Sequence, residues 1–537
     1  MKYTALNAEQ LKGMLMAGAA SLARHKEEIN SLNVFPVPDG DTGTNMNLTM
    51  EAANREMNKD GVTTIKDVTD ALSMGSLMGA RGNSGVILSQ IFRGFAKGLS
   101  EARSITPAVF ANALQTGVET AYKAVIKPVE GTILTVAKSS ARAAVRYARS
   151  GDFAVMMGHV LEEANRALAN TPNMLPVLKE AGVVDAGGKG LCYILQGWLD
   201  YLEGRVSEQA ELVVDSRRIP ETRVDSDLEY VYCTEFIVTG DNLSEEVFRN
   251  HLAPLGDSLL VVGASGLIKV HIHTNNPGSV LEFALSQGKE LQDIKIDNMR
   301  FQHNEVMSAP AEEEVQEPSQ NGVIAVAAGS GLAEIFKSMG ADYVVMGGQT
   351  MNPSTEDFLQ AIDKVRARQI IILPNNGNVI MAAQQAAEVA SLPVAVVPSK
   401  TIPQGFAALL NYSPDEQDLA KVAADMEAGM SGVKTGQVTF AVRDSVFEGK
   451  PIAEGNILGI ADGKIVTVED NVFATTVNLV NLMKDEDTEV ITLFYGENVD
   501  QDEAEKIASH LAEAHPDCEI ELHYGGQPLY FFIVAVE

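Results

Sequence analysis

Over roughly the first 200 residues, apolar side chains recur at helical spacing and strand-like alternation is nearly absent, which restricts this part of the chain to an all-helical unit. Leu11, Leu15, Leu22 and Ile29 follow Asn7, a residue type suited to capping a helix N-terminus. Leu6 and Leu11 have the spacing of a hydrophobic staple. Further helices are predicted over 68–77, 85–99, 107–126, 132–148, 153–169 and 187–201. Glycine-rich joints separate them, and chemistry in a helical unit belongs in such joints.

The pattern changes after Gly204. Strands are predicted over 228–239, 259–263 and 267–272, with a helix over 242–255, so residues 206–307 read as a small α+β middle domain. Residues 308–320 hold Glu312, Glu313, Glu314 and Glu317, two prolines and no basic residue. Such a stretch buries too little apolar surface to fold, and it is expected to be an acidic linker. From 321 to 537 strand and helix alternate. Strands at 323–327, 343–346, 369–373 and 394–397 are spaced by helices such as 356–366 and 379–389, the grammar of a parallel sheet covered by helices. A hairpin signal at Asp462-Gly463 and strands at 489–494 and 530–536 follow. The expected fold class is multidomain: helical (1–205), α+β, then α/β.

The 537 residues exceed what one core organises. Lys and Arg number 41 against 72 Asp and Glu, a formal charge of −31 that disfavours nucleic acid and anionic membrane surfaces as partners. An anionic nucleotide needs bound cations or a nest of backbone N–H groups to overcome that field. Three scattered cysteines fit a reducing compartment. No secretory apolar core and no bilayer-spanning run of about 20 residues is present, so a cytoplasmic protein without stable membrane insertion is expected.

The densest motif is Asn33-Val34-Phe35-Pro36-Val37-Pro38-Asp39-Gly40-Asp41-Thr42-Gly43-Thr44-Asn45-Met46. Its prolines exclude helix before Asp39, and its glycines allow a sharp bend about Asp41. Asp39 and Asp41, two apart in an extended segment, can present hard oxygens to Mg²⁺, and as turn residues they are expected to face solvent. Thr42, Thr44 and Asn45 open a helix whose free N–H groups favour phosphate. Read in isolation, Asp-Gly-Asp-Thr-Gly is also a plain surface turn with a Thr cap. Two more joints, Gly79-Ala80-Arg81-Gly82-Asn83-Ser84-Gly85 and Val183-Val184-Asp185-Ala186-Gly187-Gly188-Lys189-Gly190, lead into helices in the same way, and neither is a Walker P-loop. Three such joints in one helical domain suggest a metal–nucleotide site.

These motifs resemble the ATP-binding L-subunit domain of dihydroxyacetone kinases, and within it the branch found in the ATP-binding component of bacterial fatty acid kinases; the three-part layout is similar over essentially the whole chain. The resemblance implies an eight-helix barrel for the N-terminal domain, holding ATP through a pair of Mg²⁺ ions. It implies Asp39 and Asp41 as metal ligands, with Asn33 the nearest oxygen-bearing residue to a position where the family has a third Asp and this chain has Val34. Thr42 and Asn45 are implied at phosphate or nucleotide, Asn83 and Ser84 at the phosphates, and Thr132, Asp185 and Gly187 along the rest of the nucleotide site. It also implies a homodimer and a separate fatty-acid-binding carrier protein docking on the C-terminal domain, whose lipid carboxylate becomes an acyl phosphate. Competing functions are a dihydroxyacetone-type kinase of a small ketose or polyol and a non-catalytic nucleotide-sensing scaffold.

A second constellation is Cys233 with His271 and His273. Histidines two apart on a strand share a face, and a cysteine on a neighbouring strand completes an N₂S set of the kind Zn²⁺ accepts. A polar catalytic cluster and ordinary half-buried side chains are the other readings, and the resemblance, in which these residues are needed for activity, favours a functional one. Gly329-Ser330-Gly331 reads as a strand-to-helix turn. Pro374-Asn375-Asn376-Gly377-Asn378 falls at a strand's carboxyl end, where open α/β sheets bind ligands and where plain turns also occur.

Overall fold

The structure is a computed structural model, and it describes residues 3–34, 40–125, 127–205, 230–240, 243–264, 267–287, 290–298, 318–348, 352–441, 445–447 and 450–537. Asn7 opens the first helix as its position predicts. Its side chain accepts the Gln10 N–H at 2.8 Å while Gln10 accepts the Asn7 N–H at 3.0 Å, a reciprocal capping box. Leu6 and Leu11 are both buried at that end.

Ten helices are described in the N-terminal region: α1 (Ala8–Arg24), α2 (Lys26–Ser31), α3 (Thr42–Met57), α4 (Ile65–Met78), α5 (Gly82–Leu99), α6 (Pro107–Ala124), α7 (Ile133–Tyr147), α8 (Phe153–Ala169), α9 (Pro176–Glu180) and α10 (Ala186–Leu202). Packing runs from α1 to α3, α4, α5, α6, α7, α8 and α10, and α10 returns to α1. Phe95, Phe110, Phe153 and Trp198 meet inside this circuit, with ring centroids 5.1–6.0 Å apart. Buried aromatics at such spacing contribute area and edge-to-face attraction together. The α1–α10 seam is close because Gly18 faces Trp198 and Gly197 faces Ala17, where a Cβ would sit 2.4–2.5 Å from its neighbour.

The chain divides into two compact units, Met1–Leu212 with Pro318–Glu537, and Val213–Glu317. In the second, β1 (Tyr232–Thr239), β2 (Gly256–Ala264), β3 (Leu267–Thr274) and β4 (Glu290–Asn298) form an antiparallel sheet in the order β2-β3-β1-β4, with helices α11 (Glu245–Leu252) and α12 (Pro277–Gln287). Phe236, Val238, Phe248, Leu252 and Ile272 are among its buried core.

In the C-terminal region, β5 (Ser319–Ala327), β6 (Tyr343–Met346), β7 (Ala367–Leu373) and β8 (Val394–Val396) form a parallel sheet in the order β6-β5-β7-β8. Near-continuous apolar runs in β5 and β7 match their burial in the sheet centre. Ser319 and Gln320, expected in the linker, begin β5, whose ladder to β7 starts at Ser319; residues 308–317 lie outside the described ones. The later strands do not extend the parallel sheet. Instead β9 (Lys434–Phe440), β12 (Ile457–Ala461), β13 (Lys464–Glu469), β14 (Val490–Tyr495), β15 (Glu519–Tyr524) and β16 (Phe532–Val536) make a separate mixed sheet, while β10 (Ser445–Phe447) and β11 (Lys450–Ile452) pair with each other in a two-stranded sheet. Asp462 and Gly463 turn the β12–β13 hairpin with φ of 45° and 79°, as the Asp-Gly signal predicts.

The sequence pattern separates the helical and α/β regions by a whole domain, yet they form one compact unit. The reason is a shared apolar cluster: Ala80 and Val86 of the helical region are buried with Val345, Phe358, Val379, Ala382 and Ala386. Among the described residues no helix is long and apolar enough to cross a membrane.

Candidate functional site

Asp41 stands immediately before α3, after Gly40 turns the backbone at φ +64°. Its carboxylate does not cap its own helix. It is 7% exposed, so the expectation of a solvent-facing carboxylate is corrected: Asn352, from the α/β region, covers it and donates Nδ2 to Asp41 Oδ2. The motif's other glycine has a steric task. A Cβ on Gly43 would lie 2.2 Å from the Lys26 carbonyl, so glycine lets α2 pack against the first turn of α3. Asn30 of α2 then pairs with Thr44 twice, accepting its N–H and donating to its Oγ1, each at 3.1 Å. Asn33 and Thr42 are buried at the same joint. Asp39 lies outside the described residues.

Asn45 is buried one turn into α3, where it meets α5. Gly82, at φ +56°, is so close that a Cβ would stand 2.5 Å from Asn45 Nδ2. Asn45 Oδ1 lies 3.5 Å from Asn352 Nδ2. Asn83 donates to Asn378 Oδ1 at 2.9 Å, and Ser84 is half-buried beside it. Arg81 donates to the Asn352 carbonyl at 2.8 Å and pairs with Asp357 at 3.2 Å.

Thr132, Asp185 and Gly187 gather at a second joint, between the N-termini of α7 and α10. Asp185 caps α10 by accepting the Gly188 N–H at 2.7 Å, and it also accepts the Ile133 N–H, tying the two helix starts together. Burial pushes its carboxyl up to about 6, against the pull of those two hydrogen bonds. A Cβ on Gly187 would sit 3.3 Å from Ile133. Thr132 Oγ1 donates to Val129 O at 2.7 Å. Glu130 accepts from Thr135, Tyr122 and Lys138, and the Thr135 and Lys138 hydrogen bonds hold its carboxyl below the usual range. Lys189 pairs with Glu28 at 3.3 Å, and Gly190 packs on Met46 of α3.

In the middle domain the β1–β3 register sets Cys233 opposite His273 and Glu235 opposite His271. The side chains of Cys233 and His271 are outside the described ones. Among the described residues, no three His, Cys, Asp or Glu side chains are placed to hold a metal ion.

The Pro374–Asn378 segment is a packed turn. Asn375, at φ 55°, donates to Val326 O at 2.8 Å and pairs with Ser399, leaving beside it a cavity of about 20 Å³, room for roughly one water. Gly329-Ser330-Gly331 likewise joins β5 to the helix Ser330–Ser338. The sequence pattern sets Arg81 inside the second joint but gives no sign that Asn352, Asp357 and Asn378 are neighbours of the candidate site. One local signal was available: Ser354 and Asp357 form a capping box, marking a helix start just after Asn352.

Comparison with known proteins bears on all three regions. Residues 36–200 match the DAK2 domain, 229–306 the FakA-like middle domain of fatty acid kinases, and 322–537 the FakA-like C-terminal domain of fatty acid kinases. Protein YloV of Bacillus subtilis is 46% identical over 555 residues, covering 100% of both chains. An uncharacterized protein of Staphylococcus aureus is 42% identical over 548 residues, covering 99% of both. Among solved structures, the dihydroxyacetone kinase of C. freundii aligns with 37% of this chain and 35% of its own (TM-score 0.28, 18% identity). The Streptococcus pneumoniae fatty acid kinase B3 protein loaded with linoleic acid aligns with 41% of this chain and 99% of its own (TM-score 0.27, 10% identity). The chain belongs to the FakA-like family of fatty acid kinase proteins.

Proposed function

We propose that this protein is the ATP-binding subunit of a two-component fatty acid kinase, transferring phosphate from ATP to the carboxylate of a fatty acid presented by a separate carrier protein. The observation that carries this reading is the joint between α3 and α5. There a buried carboxylate unspent on its own helix, Asp41, stands with Asn45 and Asn83 at two helix N-termini, in a chain of this family. Helix N-termini present N–H groups to phosphate, which a chain of charge −31 otherwise repels.

The oxygens gathered there suit a hard divalent cation: the buried carboxylate of Asp41 and, beside it, the amide oxygen of Asn45. Asp41, with Asp39 and Asn33, would hold Mg²⁺, which when bound neutralises charge developing on the phosphoryl oxygens. Thr42, Asn45, Asn83 and Ser84 orient the phosphates, and Thr132, Asp185 and Gly187 shape the remainder. In the transfer a carboxylate oxygen bonds to the γ-phosphorus as the bridge to ADP breaks. The acyl carboxylate is already ionised at neutral pH, so no strong general base is needed. The carrier docks on the α/β region. Cys233, His271 and His273 act as one unit, a reading supported by the Cys233–His273 register.

ATP turnover measured with and without a fatty-acid-loaded carrier tests the proposal. Acyl phosphate is expected only with the loaded carrier; turnover on dihydroxyacetone alone, or none on any acceptor, would refute it.

A further inference from the structure

We propose that Asn352, from the α/β region, is a positioning residue of the metal–nucleotide site: it orients Asp41 and turns its own amide oxygen towards a hydrated divalent cation held there. The inference rests on the reading of Asp41 as a metal ligand and adds a residue 311 positions away in sequence.

Three observations carry it. Asn352 is 1% exposed, and its Nδ2 faces two acceptors, Asp41 Oδ2 and Asn45 Oδ1. That orientation is dictated, because turning the amide over would set oxygen against carboxylate. Its Oδ1 is therefore committed to the other side, where it is buried and, among the described residues, without a hydrogen-bond partner. A buried acceptor of this kind calls for a donor that the described residues do not supply, and a water bound to a cation is such a donor. Carboxylate ligands are in turn held by hydrogen bonds from outside the coordination shell, the place the Nδ2 group fills.

The segment carrying Asn352 is also fixed independently of its side chain. Arg81 holds its carbonyl, and the Thr355 N–H donates to Ala80 O at 3.2 Å. With the apolar cluster around Ala80 and Val86, these contacts make the amide a preset part of the site. The site thus draws on both regions of the compact unit.

The test uses the full-length chain and binding of AMP-PNP, with and without Mg²⁺, by titration calorimetry. Asn352→Ala is expected to weaken binding in Mg²⁺ by about tenfold or more and to leave binding in EDTA unchanged. In an Asp41→Asn background the same substitution should add little, since it acts through that carboxylate. Asn352→Asp sets two carboxylates face to face, so its melting temperature should fall in EDTA and recover on adding Mg²⁺ alone. Gln385→Ala, which removes a hydrogen bond to Leu77 O at the same interface but touches neither Asn352 nor Asp41, should leave nucleotide affinity within twofold. The inference is overturned if Asn352→Ala binds normally, if Gln385→Ala loses as much, if the two losses are additive, or if Mg²⁺ fails to restore Asn352→Asp. If Asp41→Asn itself binds Mg²⁺–AMP-PNP normally, the reading of the site has failed; if Asp41→Asn loses binding and Asn352→Ala does not, only the inference has.

Discussion

The two joints of the helical region look alike on paper and differ in how they use their carboxylates. Each sets an Asp and glycines before a helix. At the α7–α10 joint Asp185 is consumed by the fold, accepting N–H groups from Gly188 and Ile133. At the α3–α5 joint Asp41 caps nothing of its own helix and is met by an amide from another region. A carboxylate that satisfies backbone donors ties helix starts together; one that its own helix does not use takes a partner from elsewhere in the fold. Similar motifs thus tie their carboxylates into the fold in different ways.

The largest effect that sharpens it is on turnover. Asp41→Ala should lower phosphoryl transfer by roughly 10²–10³-fold, the scale of losing one centre of transition-state charge stabilisation. Because Asp41 is buried against Asn352, its melting temperature should fall as well. Steady-state turnover at ordinary Mg²⁺ decides it, and near-normal rates would show that Asp41 is no metal ligand.

Next in size is the packing that presents Asp41. Gly43→Ala forces a Cβ to within 2.2 Å of the Lys26 carbonyl and should cost on the order of 2–4 kcal/mol by moving α2 off α3. Gly158→Ala, in α8 with nothing within 4 Å, should instead gain up to about 1 kcal/mol. Denaturant unfolding of the pair reads both, and equal stabilities would contradict the close approach of α2.

The smallest effect is at the other joint. The Asp185 carboxyl titrates at about 6 in the folded chain, against 3.8 for an unperturbed group, so the native state keeps a proton that the unfolded chain releases between those values. Native stability from this group therefore falls as pH rises from about 4 to about 6 and stays low above. Asp185→Asn keeps a capping oxygen but no charge. Relative to the parent it should improve by about 1–3 kcal/mol between pH 4 and pH 7. Parallel stability curves for the two proteins would show that Asp185 is not a buried, costly carboxylate.

Much of the fold was legible locally. Asn7 caps α1, helix Phe153–Ala169 and strand Tyr343–Met346 fall where periodicity puts them, and the Asp462-Gly463 turn forms its hairpin. Boundaries elsewhere shifted by a few residues: α5 starts at Gly82 and not 85, because a left-handed glycine begins the helix earlier than its apolar face does. The separate six-stranded mixed sheet was not legible, since strand order depends on pairings far apart in the chain.

For the site, the sequence by itself determined which residues stand at helix N-termini, which glycines bend the chain, and the family. Those features are local: a cap, a turn or an apolar stripe is written within a few neighbouring residues. Tertiary structure alone decided that Asp185 caps its own helix while Asp41 does not, and that Asn352 lies on Asp41. These outcomes follow from which apolar faces pack, here Ala80 and Val86 against the α/β region. Burial then fixes what each polar group must find as a partner, and no local pattern encodes a partner 311 residues away.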